Sequence, residues 1–231
     1  MKISYSKTAR WLFDFYLNFL FRRNFERIHV LVDKGTFDGV QAAAPVSALD
    51  KNLPILLVAN HCSWWDGFFL ARLQIEIAPT AILLTVMLES ELRKYPFLRK
   101  LGAVGLDPKN PVNVVRTFYK LQRFIQHHAG PVVIAYFPQG EIRPQFEATL
   151  NFKPGVEVLI RMLRPLQILP VALGIEPLTA SKPSGLILVG KPQFVGSDSL
   201  VSVGFLEGLV ESLLQIERTK LVRRYLKGAA P

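Results

Sequence analysis

Two polar clusters hold residue types able to do chemistry, and each follows a short apolar run. The first is Asn60-His61-Cys62-Ser63-Trp64-Trp65-Asp66. In an unbroken helix, positions five apart lie about 140° around the axis, so His61 and Asp66 can meet only where a strand hands over to a helix. With Ser63 capping that helix, Asp66 stands at its third position and His61 in the loop ahead. The ring can then fold back onto the carboxylate. A carboxylate on one imidazole nitrogen fixes the tautomer and leaves the other nitrogen free as a general base. The spacing of Ser63 and Asp66 is equally a capping-box pattern, with an acidic residue favoured in the first turn by the helix dipole. The two roles are compatible. Cys62 offers a second nucleophile, but neighbours at a strand end point in opposite directions, which places it poorly for proton transfer to His61.

The second cluster is Tyr136-Phe137-Pro138-Gln139-Gly140-Glu141-Ile142-Arg143-Pro144. Pro and Gly set a turn there, and Gln139, Glu141 and Arg143 bring polar groups to a sheet edge, where open α/β folds place ligands. Further on, Asn151-Phe152-Lys153-Pro154-Gly155 puts a cation ahead of a helix N-terminus, a combination suited to phosphate. A solvated turn would also explain this polar segment.

The elements that must position these clusters alternate. Buried-type strands are predicted at Leu53 to Asn60, Ala81 to Val86, Ala103 to Leu106, Val132 to Phe137, Gln167 to Ile175, Leu186 to Val189 and Gln193 to Val195. Helices are predicted from residue 4 to about 32, Trp64 to Ile75, Pro111 to His128, Pro154 to Leu163 and Ser199 to Tyr225, with an irregular helical connection over Glu89 to Lys100. The pattern predicts one α/β domain, a mixed, mostly parallel sheet flanked by helices, over residues 36–231. Residues 1–35 form an aromatic and basic helix, either packed on the core or lying in a membrane interface.

Composition narrows the function classes. The 231 residues carry 28 Lys and Arg against 18 Asp and Glu, a net charge of +10, together with 16 Phe. Mean hydropathy is +0.25. Disordered basic chains lack that apolar content, and the combination fits an anionic phospholipid surface better than nucleic acid. The single cysteine, Cys62, excludes an intrachain disulfide and a four-cysteine zinc site. The four histidines show no metal-ligand spacing. No signal peptide is read at the N-terminus, and Trp11 to Phe21 is too short to span a bilayer, which needs about 20 apolar residues.

In order, these blocks resemble the glycerolipid acyltransferases of the lysophosphatidic-acid acyltransferase type. Asn60, His61 and Asp66 match the hallmark of Asn, then His, four residues and Asp. Phe137 to Arg143 resembles the Phe-Pro-Glu-Gly-Thr-Arg-Ser block. Gly102-Ala103-Val104-Gly105-Leu106-Asp107-Pro108 looks like a block ending in Ile-Asp-Arg, and Leu169-Pro170-Val171-Ala172 like a late Val-Pro-Val block. The likeness covers about Leu53 to Leu173. Gln139 stands where the family has Glu, Glu141 where it has Thr, Arg143 falls one place late, and Pro108 replaces an arginine.

The resemblance implies transfer of an acyl chain from a thioester, on coenzyme A or acyl carrier protein, to a lipid hydroxyl. His61 is then the base and Asp66 its partner, with no cofactor beyond the acyl donor and no metal. The residues expected to contact substrate are Asn60, Ser63, Phe137, Gln139, Gly140, Glu141, Arg143 and Lys153. The altered arginines loosen the grip expected on a phosphomonoester acceptor. Gln139, able to donate and accept, suits a neutral hydroxyl-rich head as well. Expected partners are an anionic membrane surface on the cytoplasmic face, bound peripherally or monotopically, the acyl donor and a lipid acceptor. A non-enzymatic lipid-binding module of this fold and an acyl-thioester hydrolase are the competing readings.

Overall fold

Strand formation starts from runs apolar on both faces. Ile55–Ala59 (β3) and Val132–Tyr136 (β6) are buried at every position, as strands covered on both sides must be. In the computed structural model, which describes residues 3–33, 40–42, 49–50, 52–147, 149–177 and 180–218, they lie side by side and parallel, Val58 opposite Tyr136.

The elements around them are α1 (Lys7–Asn24), β1 (Ile28–Asp33), β2 (Val40–Ala42), α2 (Asp66–Ile77), β4 (Ile82–Leu88), α3 (Glu89–Lys94), a 3-10 turn (Pro96–Lys100), β5 (Ala103–Leu106) and α4 (Pro111–His127). After β6 come α5 (Gly155–Leu163), β7 (Leu166–Glu176), β8 (Ser184–Val189), β9 (Gln193–Val195) and α6 (Val203–Arg218). Nine strands make one sheet in the order β2-β1-β8-β7-β3-β6-β4-β5, with β9 also paired to β7. The stretch β7-β3-β6-β4-β5 is parallel throughout. Strands β8 and β9 run antiparallel to β7, and β2 antiparallel to β1, so the sheet is mixed and mostly parallel.

Helices cover both faces. On one, Leu17, Phe21 and Phe25 from the N-terminal segment and Phe69, Leu70 and Leu73 of α2 pack on Ile55, Leu57 and Ala59. On the other, Phe118 and Leu121 of α4, Leu159 of α5 and Leu206 and Val210 of α6 pack on Leu56, Val58 and Ile134. Phe69 and Phe118 are fully enclosed, and truncating either to Ala costs about 3–5 kcal/mol in lost burial and cavity formation.

The first helix is shorter than its apolar pattern suggests. It ends at Asn24, and Ile28–Asp33, expected to be helical, forms strand β1 instead. The run Val30-Leu31-Val32 is apolar and partly β-branched, and it finds an open edge on β8, pairing from Ile28 opposite Gly185 to Val32 opposite Val189. Residues 28–33 therefore belong to the same sheet as the site.

Helix α1 itself has two characters. Ser6 caps it by accepting from the Ala9 amide, and its inner side buries Arg10, Leu17 and Phe21. Its outer side leaves Trp11 69% and Phe15 76% exposed, alongside exposed Leu12, Tyr16 and Phe19. The closing helix also differs from expectation. It starts at Val203 because the Ser202 hydroxyl accepts from the Phe205 amide and caps it there. The basic residues expected at its far end, Lys220, Arg223, Arg224 and Lys227, lie outside the described residues.

Candidate active site

Strand β3 ends at Ala59, and Asn60 extends its pairing by side chain. Its amide nitrogen donates to the Leu173 carbonyl at 2.9 Å, and its oxygen accepts from the Leu173 amide at 2.7 Å. The Asn60 side chain imitates a strand backbone at the point where the real backbone must leave the sheet. His61 follows on that fixed base.

Asp66 is fully buried, and three donors converge on its Oδ2: the Cys62 amide at 2.7 Å, the Ser63 amide at 2.8 Å and His61 Nδ1 at 2.8 Å. The expected meeting of His61 and Asp66 across a strand-to-helix junction is therefore present. The cap is not as expected. Ser63 Oγ accepts from the Trp65 amide at 3.1 Å, within a turn closed by the Asp66 amide donating to the Ser63 carbonyl. Helix α2 starts only at Asp66, with Trp65 in the cap position and no side-chain cap. The turn takes up two residues that the capping-box reading assigned to the helix, so Asp66 is the first helical residue rather than the third.

The second cluster holds His61 from the other side. Gln139 Oε1 accepts from the His61 amide at 2.6 Å, and the Arg143 amide donates to the His61 carbonyl at 2.9 Å. The Phe137 ring stacks on the imidazole, with centroids 4.3 Å apart and planes 21° apart. Because β3 and β6 are adjacent, sequence-distant blocks converge on one ring.

The imidazole borders a cavity of about 810 Å³ that wraps over the ends of the parallel strands. One limb lies between helices α1 and α2 and strand β4, lined by Arg10, Phe13, Phe68, Ala71, Leu83 and Thr85. The other faces α4 and α5, lined by Leu106, Val114, Tyr136, Lys153, Pro154 and Gly155. Of the expected substrate contacts, Phe137, Gly140, Glu141 and Lys153 line this space with His61. Asn60, Ser63, Gln139 and Arg143 are not among its lining residues. Asn60 and Gln139 are each only 3% exposed; both polar atoms of Asn60 bond the Leu173 backbone, and Gln139 Oε1 accepts from the His61 amide. Cys62 Sγ lies 3.5 Å from the Leu173 carbonyl oxygen and 3.8 Å from Asp66 Oδ1.

Charges at the mouth are largely paired. Arg143 holds two carboxylates, Glu141 Oε1 at 2.8 Å and Glu147 Oε2 at 3.2 Å. The Arg143 hydrogen bond, with help from nearby Lys153, holds the Glu141 carboxyl below its usual range. Gly140 makes the turn with φ of 72°, a conformation that favours glycine, and a Cβ there would stand 3.2 Å from Lys153 Nζ.

Sequence reading missed Arg10, Phe13 and Phe68 as cavity residues, since helix α1 reaches the site only through tertiary packing. It placed Tyr136 at the head of the second cluster but gave it no role, its place as the last residue of β6 being its only signal. Chemically the arrangement is directional. Two of the three donors on Asp66 Oδ2 are backbone amides, and the third bond is completed when Nδ1 carries the ring proton. That leaves Nε2 with its lone pair, the form a general base requires. Among the described residues, no helix is long and apolar enough to cross a membrane.

No curated protein matches the chain. A family model described as Acyltransferase does match, over residues 41–174, a span that runs from before β3 to β7 and takes in both clusters. On that match, which covers more than half its length, this chain belongs to the acyltransferase family, whose members are transferases.

Proposed function

We propose that the protein transfers a fatty acyl chain from an acyl thioester, on coenzyme A or acyl carrier protein, to a hydroxyl of a lysophospholipid or another hydroxylated lipid. The observation that carries this reading is His61 Nδ1 bonded to buried Asp66 beside a mostly apolar cavity. His61 Nε2 takes the proton from the acceptor hydroxyl as its oxygen attacks the thioester carbonyl. The tetrahedral centre collapses, the carbon–sulfur bond breaks, and the thiolate leaves with the proton that His61 returns. Asp66 keeps the ring oriented and stabilises the transient imidazolium. The apolar limb beneath α1 and α2 suits the acyl chain.

In this reading the enzyme meets its lipids at an anionic phospholipid surface. The exposed Trp11, Phe15 and Phe19 enter the interface, with Arg22 and Arg23 in the last turn of the helix near the headgroups. Purified protein incubated with a radiolabelled acyl thioester and a lipid extract tests the reaction. Label is expected in ester-linked lipid. Label in free fatty acid alone would make the protein a thioester hydrolase, and label that stays on the donor would make it a non-enzymatic lipid module.

A further inference from the structure

Tyr136 is the last residue of β6, and its ring is 7% exposed while lining the cavity. Burial pushes its phenol up to about 12, so the group is a neutral donor. Among the described residues nothing hydrogen-bonds to that hydroxyl. A buried hydroxyl left without a partner carries a desolvation penalty that a ligand oxygen can recover.

Its surroundings point to the kind of oxygen. The hydroxyl lies against the start of α5, where a Cβ on Gly155 would stand 3.3 Å from it. The Val156 and Glu157 amides are used in turns to Lys153 and Pro154, which leaves the Gly155 amide as the free donor of that first turn. Lys153 is tied by its own amide to the Pro138 carbonyl, and its side chain lines the same limb beside Gly140, whose missing Cβ leaves it room. The nearby acids are accounted for. Glu141 and Glu147 are both held by Arg143, and the Glu157 carboxylate accepts from the Val203 amide. Lys153 itself has no ion pair among the described residues.

We infer that Tyr136 and the Gly155 amide complete, with Lys153, a seat for a phosphodiester, which deepens the acyl-transfer reading by naming the groups that would hold its phosphate. The charge count decides the class. One cation and two neutral donors match a singly charged diester, whereas the second charge of a dianionic monoester would find no further cation, because Arg143 is already held by Glu141 and Glu147. Such a diester occurs in a lysophospholipid headgroup and in the phosphopantetheine linkage of an acyl carrier. The seat rests on the proposed reaction only for its purpose; as a binding site it stands or falls by itself.

Equilibrium binding to the full chain, read by tryptophan fluorescence without turnover, separates the two questions. The probes are lysophosphatidylglycerol and monoacylglycerol of equal chain length in neutral detergent micelles, and an acyl-phosphopantetheine with a thioether in place of the thioester and its phosphate esterified as a diester. Tyr136→Phe and Lys153→Met should each weaken a phosphodiester probe about tenfold, as expected for hydrogen bonds to a charged group, and leave monoacylglycerol unchanged. Lys153→Arg should restore most of the loss. Loss confined to lysophosphatidylglycerol places the acceptor headgroup in the seat, loss confined to the thioether places the donor there, and loss of both places either. Equal weakening of monoacylglycerol, or no weakening of either diester by variants with unchanged melting temperature, overturns the proposal.

Discussion

Gln139 Oε1 lies 2.6 Å from the His61 amide nitrogen, so the second motif grips the backbone of the first. This contact needs an acceptor and nothing more, and a carboxylate oxygen supplies one as well as an amide oxygen. The Gln-for-Glu difference from the resembled family therefore falls on a residue whose side-chain oxygen holds the His61 backbone. Gln139→Glu should keep acyl-transfer activity within about threefold, while Gln139→Leu, which leaves the part-buried His61 amide without its acceptor, should lower it at least tenfold. Steady-state kinetics of the two variants, with melting temperatures alongside, check this.

Asp66 combines a structural duty with a chemical one. Asp66→Asn keeps an oxygen for the Cys62 and Ser63 amides when its amide nitrogen turns elsewhere, but it removes the charge that stabilises the imidazolium. The expected result is a folded protein whose kcat falls by about 10²–10⁴, in line with losing an oriented base. Circular dichroism with single-turnover rates separates this outcome from unfolding.

The outer face of α1 predicts a two-part membrane affinity. Attraction of Arg22 and Arg23 to anionic headgroups is screened by salt, whereas insertion of Trp11, Phe15 and Phe19 is not. Flotation with anionic vesicles should fall at high salt without vanishing. Replacing Trp11, Phe15 and Phe19 together with Ser should remove the salt-resistant part, and because all three are exposed the fold should persist. Equal flotation on neutral and anionic vesicles would count against the electrostatic contribution.

His29 gives the fold a pH dependence of definite sign. It sits in β1 opposite Leu186, and burial, with a smaller push from Arg27, holds its imidazole below the ordinary 6.5. Above pH 6.5 the ring is neutral in folded and unfolded chains alike, so it contributes no slope. As pH falls from 6.5 towards the lowered folded value, the unfolded chain binds the proton first and stability drops. Denaturant midpoints measured across that window should decline in the wild type and less steeply in His29→Gln.

Much of this architecture is legible in the sequence because buried parallel strands are short uninterrupted apolar runs. Residues 103–106 and 193–195 form strands with the expected bounds, and α4 starts at the expected Pro111. The approach of His61 to Asp66 follows from a strand-to-helix junction, since an unbroken helix would hold the two residues apart. What local pattern does not carry is long-range. Residues 28–33 read as a continuing helix because nothing nearby reveals the open edge of β8. Asn60 and Gln139 look like substrate contacts, yet the Asn60 amide group bonds Leu173 and the Gln139 oxygen bonds His61, partners distant in the chain and adjacent only in the folded sheet. Arg10 belongs to the cavity because it bonds the Ala71 carbonyl and Gln74, a contact between helices that no single segment announces.

The central claim is that His61 is the base for acyl transfer, and His61→Ala tests it most directly. The measurement is the rate at which radiolabelled acyl thioester is converted to ester-linked lipid by wild-type and variant protein of matched melting temperature. The account predicts transfer by the wild type and a loss of at least 10³-fold in the variant, with no compensating rise in free fatty acid. Wild-type turnover in a folded His61→Ala protein would contradict it.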